Sequence, residues 1–113
     1  MKTLKHATGT VSTSGDHTIL SASTNGRIKI QAYCLTTSST TAVTATFKNG
    51  SATNNALWTL PMQALTGTVQ GYAQTASGDN HLFATDKNTL LNLHLSVAQS
   101  VTYNLSYWDD ESV

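Results

Sequence analysis

The sequence has little charge, one cysteine, one proline and no long apolar run. Only 11% of its 113 residues are Asp, Glu, Lys or Arg, and six basic side chains balance six acidic ones, whereas an ordinary soluble domain has about 25% charged residues. Because no basic run is present, the sequence lacks the positive patch with which proteins bind nucleic acid. No apolar stretch approaches the roughly 20 residues that a membrane-spanning helix needs. Neither nucleic acid nor a membrane is therefore an expected partner.

Hydroxyl side chains take the place of the missing charge. The sequence contains 20 Thr and 12 Ser residues, more than a quarter of the chain, and a single glutamate, Glu111. Thr is stiff at its β-carbon and favours pleated strands, and runs of strong helix formers are absent. The composition therefore predicts an all-β protein, and the length predicts one domain over residues 1–113.

Alternating hydrophobicity and turn residues divide the chain into about seven or eight short antiparallel strands. Thr24-Asn25-Gly26 is a strong turn signal and predicts a β-hairpin, while Pro61, the only proline, predicts an edge strand or a strand end. The segments 90–97 and 101–108 are joined by a short connection and are predicted to pair as a hairpin. Short strands without intervening helices are typical of a single β-sandwich or jelly roll.

The alternation also predicts which side chains face the core, and Cys34 is expected there as a small apolar residue. The predicted inward sets are Ile28, Ile30, Ala32 and Cys34; Leu91, Leu93, Leu95 and Val97; and Val101, Tyr103, Leu105 and Tyr107. The residues predicted on the outer surface of the last two strands are Asn92, His94, Ser96, Thr102, Asn104, Ser106 and Trp108.

No pattern typical of catalysis or metal binding is found. Asp16, Asp79 and Asp86 lie in turn sequences, where aspartate caps the backbone, and residues 109–113 are predicted to form an acidic tail, with a weak cation site or a contact to a basic partner as the alternative. The four histidines lack metal-ligand spacing, and neither a GxSxG nucleophile elbow nor a Gly-rich phosphate loop is present. We therefore expect no enzymatic activity, no catalytic residue, no cofactor and no metal.

The two tryptophans receive different predictions. Trp58 lies in the apolar segment that includes Pro61 and is expected in the core or as a plug at a strand end. Trp108 is predicted to share the outer face with Thr102 and Asn104, where three roles are open: burial in a subunit interface, local capping of the sandwich, or stacking on a sugar ring.

Four stretches, taken in order, carry a family resemblance: "TGTVSTSGDHTILSAS", "NGRIKIQAYCLTTSSTTAVTATFKNGS", "LWTLPMQAL" and "HLFATDKNTLLNLHLSVAQSVTYNLSYW". This series, over about residues 7–108, resembles small virion proteins of tailed bacteriophages. The resemblance is a pattern of strands and includes no catalytic signature. One departure is residues 87–90, since related sequences often have Gly or Ala before the "LNL" strand, so the loop at 85–90 is expected to differ in shape.

The resemblance implies a capsid decoration (cement) protein that binds the outer surface of an icosahedral head and stabilises it, typically as a trimer. Its implied partners are the major capsid protein and copies of itself, and its implied location is the virion surface after assembly in the host cytoplasm. The alternatives are a carbohydrate-binding or host-attachment module, and a tail or neck accessory protein of the virion.

The polar segment 1–10 is expected to act as an N-terminal arm that becomes ordered on a neighbour, as chain ends often do. The predicted subunit or capsid interface combines residues of this arm with the outer faces of the last strands. Its candidate residues are Lys2, Leu4, His6, His94, Thr102, Asn104 and Trp108.

Overall fold

The computed structural model describes residues 4–22, 26–38, 40–50, 55–65, 67–71 and 81–111. Within these residues the chain forms nine β-strands, which confirms the all-β prediction. No helix in the described residues is long and apolar enough to cross a membrane. The strands are β1 (Leu4–Val11), β2 (Gly15–Leu20), β3 (Gly26–Thr37), β4 (Val43–Asn49), β5 (Ala56–Met62), β6 (Gly67–Gly71), β7 (Phe83–Ala84), β8 (Leu91–Leu95) and β9 (Val101–Glu111).

The strands form two antiparallel sheets that pack as a β-sandwich. Sheet A has the order β1-β9-β3-β6, and the two-residue strand β7 also pairs with β3. Sheet B has the order β2-β8-β4-β5. The long strands β3 and β9 pair along their whole lengths, from Gly26 opposite Glu111 to Thr37 opposite Val101, and they form the centre of sheet A.

The core lies between the sheets and is built mainly from residues of β3, β4, β8 and β9. Leu91, Leu93 and Leu95 of β8 are fully buried, as predicted, against Ile30 and Phe47 among others. Complete burial of one such side chain stabilises the fold by about 1.5–3 kcal/mol. Four aromatic side chains pack together in one part of the core. Their ring centroids lie 5.0 Å apart for Phe47 and Phe83, 5.4 Å for Trp58 and Phe83, and 5.7 Å for Tyr33 and Phe47.

A β-bulge in β3 overturns the predicted face of Cys34. The register with β9 shifts between Ile30 and Ala32, so one extra residue is inserted on β3, and such an insertion moves all later side chains to the opposite face. Ile30 remains in the core, but Tyr33 and Leu35 follow it there. The predicted inward positions of Ala32 and Cys34 are therefore wrong, and both belong to the outer face of sheet A.

The structure corrects two of the predicted hairpins. β8 pairs with β2 and β4, whereas β9 pairs with β1 and β3, so residues 96–100 cross from one sheet to the other. Val97 lies in this crossing and is 37% exposed, contrary to its predicted inward position. The strands on either side of Asn25-Gly26 also lie in different sheets. The consecutive strands β4 and β5 do pair with each other. Pro61 lies in β5, which is an edge strand of sheet B, as predicted.

The predicted arm and tail are largely strand. Residues 4–10 of the predicted arm belong to β1, which pairs with β9 of the same chain from Leu4 to Val11, and Lys2 lies outside the described residues. The backbone of Asp109, Asp110 and Glu111 continues β9 and pairs with the start of β3, so the strand ends three residues later than predicted. The length of β3 provides the partner for this extension.

Candidate functional site

The outer face of sheet A is a nearly continuous surface of small polar side chains. The register aligns Thr10, Thr102 and Thr36 in one row across three strands, and Thr8, Asn104 and Cys34 in the next. The Oγ1 atoms of Thr10 and Thr102 lie 3.1 Å apart, and Ser106 Oγ lies 3.1 Å from His6 Nδ1. We call this surface the hydroxyl face; its residues are His6, Thr8, Thr10, Cys34, Thr36, Thr102, Asn104 and Ser106.

The hydroxyl face brings together several residues that the sequence singled out. His6, Thr102 and Asn104 belong to it, and Leu4 lies on the same side of β1, one row beyond His6. His94 does not belong to it, because β8 is in sheet B. The structure thus separates the predicted interface residues between two surfaces on opposite sides of the sandwich.

Trp108 is on the predicted side of β9 but is buried, with 3% of its surface exposed. Its pairing partners are Leu4 on β1 and Lys29 on β3, so it occupies a central position between two neighbouring strands. Its indole Nε1 has no hydrogen-bond partner in the structure as described. A ring that stacks on a sugar needs an exposed face, so the prediction of an exposed Trp108 is wrong and its sugar-stacking role is excluded in this conformation.

Trp58 is packed against the core, as predicted. Its indole Nε1 donates a hydrogen bond to Tyr33 Oη at 2.9 Å, and its ring stacks on Phe83. One ring face is therefore occupied by the protein itself. Together with the burial of Trp108, this removes the main support for a carbohydrate-binding surface built on the two tryptophans.

His94 lies in a charged cluster on the outer face of sheet B. Its Nδ1 is 2.7 Å from Asp16 Oδ1, and Lys48 Nζ lies 3.2 Å and 3.3 Å from the two carboxylate oxygens of Asp16. Burial raises the pKa of Asp16, but the hydrogen bonds and charges of His94 and Lys48 outweigh it, so the pKa lies below its ordinary value of 3.8. Asp16 is thus an ion-pairing strand residue, which corrects its predicted place in a turn.

A second polar network ties loops together and has a structural role. Asn92, predicted at the surface, is 1% exposed; it accepts a hydrogen bond from Thr18 Oγ1 at 3.0 Å and donates one to the Gly50 carbonyl at 3.1 Å. Asp86 accepts a hydrogen bond from Asn49 Nδ2, and its backbone N–H donates to Asn49 Oδ1, both at 2.8 Å. Asp86 therefore organises a loop, as expected from the sequence, while Asp79 lies outside the described residues.

The described residues contain no group of three or more His, Cys, Asp or Glu side chains placed to hold a metal ion. Sequence reasoning missed Thr8 and Thr10 of the hydroxyl face, although the alternation of "HATGT" contains the signal. It missed Cys34 and Thr36 because it continued the alternation of Ile28 and Ile30 past the bulge, although Tyr33 and Leu35 interrupt that pattern.

No protein family and no curated protein matches the sequence. Among solved structures, a protein of Bacillus endospore appendages, described as a novel family of disulfide-linked pili, matches with a TM-score of 0.60 and 12% identity, over 99% of this chain and 90% of that one. This likeness shows a shared fold alone. A chain of the cyanophage Pam1 capsid asymmetric unit matches with a TM-score of 0.42 and 13% identity, over 95% of this chain and 84% of that one. That similarity is too low to support a conclusion about fold or function.

Proposed function

We propose that the chain is a bacteriophage capsid decoration protein that binds the outer surface of the icosahedral head, stabilises it, and acts as a homotrimer without enzymatic activity. The observation that carries the proposal is the hydroxyl face, because its eight residues span three strands, include no Asp, Glu, Lys or Arg, and include three of the predicted interface residues, His6, Thr102 and Asn104. Lys29, which pairs with Trp108 one row beyond Ser106, borders this face. The order of segments that resembles virion proteins supplies the identity of the partner, the major capsid protein.

The chemistry of the hydroxyl face favours contact between subunits. Two hydroxyl-bearing surfaces meet without removing water from ions, and that removal is expensive when charge pairing is imperfect. Thr and Ser hydroxyls both donate and accept hydrogen bonds, so they adapt to a partner or to bridging water. Many copies arranged by symmetry then convert modest single contacts into tight overall binding.

The fold is compatible with this role, since a protein of endospore pili shares it. A tail or neck accessory protein of the virion remains the second candidate, because it would use the same rigid, uncharged surfaces. Electron microscopy of the intact particle, with mass measurement of the isolated protein, separates the two: density on the head and a trimeric mass support decoration, and density confined to the tail or neck contradicts it.

A charge placed on the hydroxyl face tests the surface itself. Thr102→Asp leaves the core untouched and is expected to fold normally, but it places an ion in the proposed contact and should weaken trimer formation by at least about tenfold. Thr59→Asp is the matched control, since Thr59 is exposed in β5 at the edge of sheet B. Sedimentation equilibrium measures both; equal association of the two variants would contradict a contact through the hydroxyl face.

A further inference from the structure

One end of the sandwich is formed by four loops that the strand pairing brings together. The loops 12–14 and 96–100 meet there because Val11 and Thr37 both pair with Val101. Residues 38 and 40–42 follow β3 at this same end, and Thr37 Oγ1 donates a hydrogen bond to the Ser100 carbonyl at 2.8 Å. Residues 63–65 follow β5, which ends opposite the start of β4, and precede β6, which starts opposite Thr36. We call this the uncharged end; the described residues of its loops are 12–14, 38, 40–42, 63–65 and 96–100.

The uncharged end contains no Asp, Glu, Lys, Arg or His in any of its four loops. The opposite end differs sharply. Asp86 and Lys87 lie in its loop 85–90, which is fixed to β3 by a hydrogen bond from the Asn88 N–H to the Gly26 carbonyl at 2.9 Å. Arg27 and the acidic run Asp109–Glu111 belong to the strand ends beside it. The loops of the two ends therefore differ in charge. The ionisable side chains nearest to the uncharged end, Asp16 and His17, belong to β2, and His17 Nε2 lies 2.6 Å from the Thr13 carbonyl oxygen.

The uncharged end also carries both of the large hydrophobic side chains that are exposed in the described part of the chain. Leu65, which follows β5, is 68% exposed, and Val97 is 37% exposed in the loop 96–100. Leu65 has a φ of +54°, a backbone conformation that is unfavourable for a residue with a β-carbon. The backbone of Leu65 thus has a conformation that disfavours leucine, and its side chain is exposed to water.

We propose that the uncharged end is the surface that docks onto the shell, with Leu65 and Val97 inserted into apolar pockets of the shell protein. This inference rests on the proposed function and adds the orientation: the loops point toward the shell, and the hydroxyl face remains available for copies of the chain. The chemistry of the partner follows from the charge. A surface without ions excludes water most cheaply against another surface without ions, because a charge buried opposite it would find no counter-charge.

The test measures binding of the full chain to shells purified from particles produced without it, by cosedimentation. The key variant is Leu65→Gly combined with Val97→Ser, because glycine fits a positive φ and removes the side chain without straining the loop. The matched control is Lys87→Ser, an exposed turn residue at the opposite end. We expect the double variant to raise the apparent Kd at least about tenfold, while the control stays unchanged. Binding by the native chain should change less than about threefold between about 0.05 M and about 0.5 M salt, since screening acts on charges.

The outcomes separate the inference from the proposed function. If the native chain binds shells and the double variant binds equally well, or if salt and Lys87→Ser weaken binding instead, the uncharged end is not the docking surface and decoration still stands. If the native chain does not bind shells, decoration itself fails, and the inference fails with it. Two controls are sedimentation of the chain alone and sedimentation of the chain with phosphatidylcholine vesicles. If the native chain self-associates or binds vesicles and the double variant does not, the uncharged end binds another copy or a membrane, and the shell is not its partner. Urea unfolding of each variant confirms that loss of binding is not loss of folding.

Discussion

The close approach of Gly9 to the ring of Tyr103 gives a stability prediction whose sign depends on that ring. Gly9 in β1 pairs with Tyr103 in β9, and a β-carbon added at Gly9 would lie 2.6 Å from Tyr103 Oη and 2.8 Å from Cζ. Gly9→Ala must therefore displace a ring that packs against the core. Overpacking of this kind costs about 1–3 kcal/mol, whereas alanine in a strand gains about 0.5–1 kcal/mol over glycine through the unfolded chain. The expected net loss is about 0–2.5 kcal/mol.

Shortening the ring should reverse the sign of the effect. Tyr103→Leu removes all three atoms that the new β-carbon would approach within 3.1 Å, Oη, Cζ and Cε1. In that background Gly9→Ala keeps only its advantage in the unfolded state and should stabilise the protein by about 0.5–1 kcal/mol. The coupling energy between the two positions is then about 1–3 kcal/mol, within the range for residues in direct contact. Tyr103→Phe, which removes Oη but leaves Cζ, should give an intermediate coupling.

Urea unfolding followed by circular dichroism measures this cycle, with the midpoints compared at constant m-value. Thr8→Ala is the control, since Thr8 points away from the ring on the hydroxyl face and should show no coupling to Tyr103. An equal destabilisation by Gly9→Ala in the native and Tyr103→Leu backgrounds would mean that the ring is not the obstacle. The register of β1 against β9 would then be wrong.

Two further predictions concern the charged cluster and the core. The carboxylate of Asp16, whose folded pKa is lowered below 3.8, contributes stability above that pH, and the contribution is lost as the pH falls through the folded pKa. Asp16→Asn should therefore cost about 0.5–1 kcal/mol of unfolding free energy near neutral pH. It should also reduce the difference between the urea midpoints measured at about pH 7 and about pH 3. If this difference is the same in the variant and the native protein, the ion pair is contradicted. Leu93→Asp places an unpaired charge at a fully buried site and should abolish cooperative unfolding, whereas Leu93→Met should cost less than about 1.5 kcal/mol; a natively folded Leu93→Asp protein by circular dichroism would refute the assigned core.

Regular alternation allowed the sequence to predict the faces of β8 and β9. Leu91, Leu93 and Leu95 are buried because β8 itself is continuous: its pairing with β4 has no register shift, and the shift in its pairing with β2 lies on β2, between Thr18 and Leu20. The side of β9 on which Trp108 lies was also predicted correctly. Its burial could not be predicted, because exposure of an outer residue depends on parts of the chain that are remote in the sequence; its pairing partners, Leu4 and Lys29, are examples.

Turn signals predicted where the chain bends but not which strands pair. The turn signal Asn25-Gly26 ends at Gly26, the first residue of β3, yet β2 and β3 lie in different sheets. The same holds for residues 96–100, which cross the sandwich while the Ser96 N–H donates to the Thr44 carbonyl at 3.0 Å. A local sequence sets the φ angles of a turn, whereas the choice of partner strand is made by burial of apolar faces over the whole domain. In a chain made of many short, similar strands, a local sequence pattern therefore does not predict which strands pair.

The bulge in β3 links the core to the proposed interaction surface. Without the extra residue, the alternation that starts at Ile28 would continue, Tyr33 and Leu35 would face water, and Cys34 would occupy the core. The hydroxyl face would then lose its third strand, because its outer positions on β3 would carry a tyrosine and a leucine in place of small polar groups. One inserted residue therefore determines two surfaces at once: it supplies the large side chains that fill the space between the sheets, and it leaves Thr36 in line with Thr10 and Thr102 on the outside. The sequence departs from simple alternation at the very point where both the stability of the sandwich and the uncharged outer face require it.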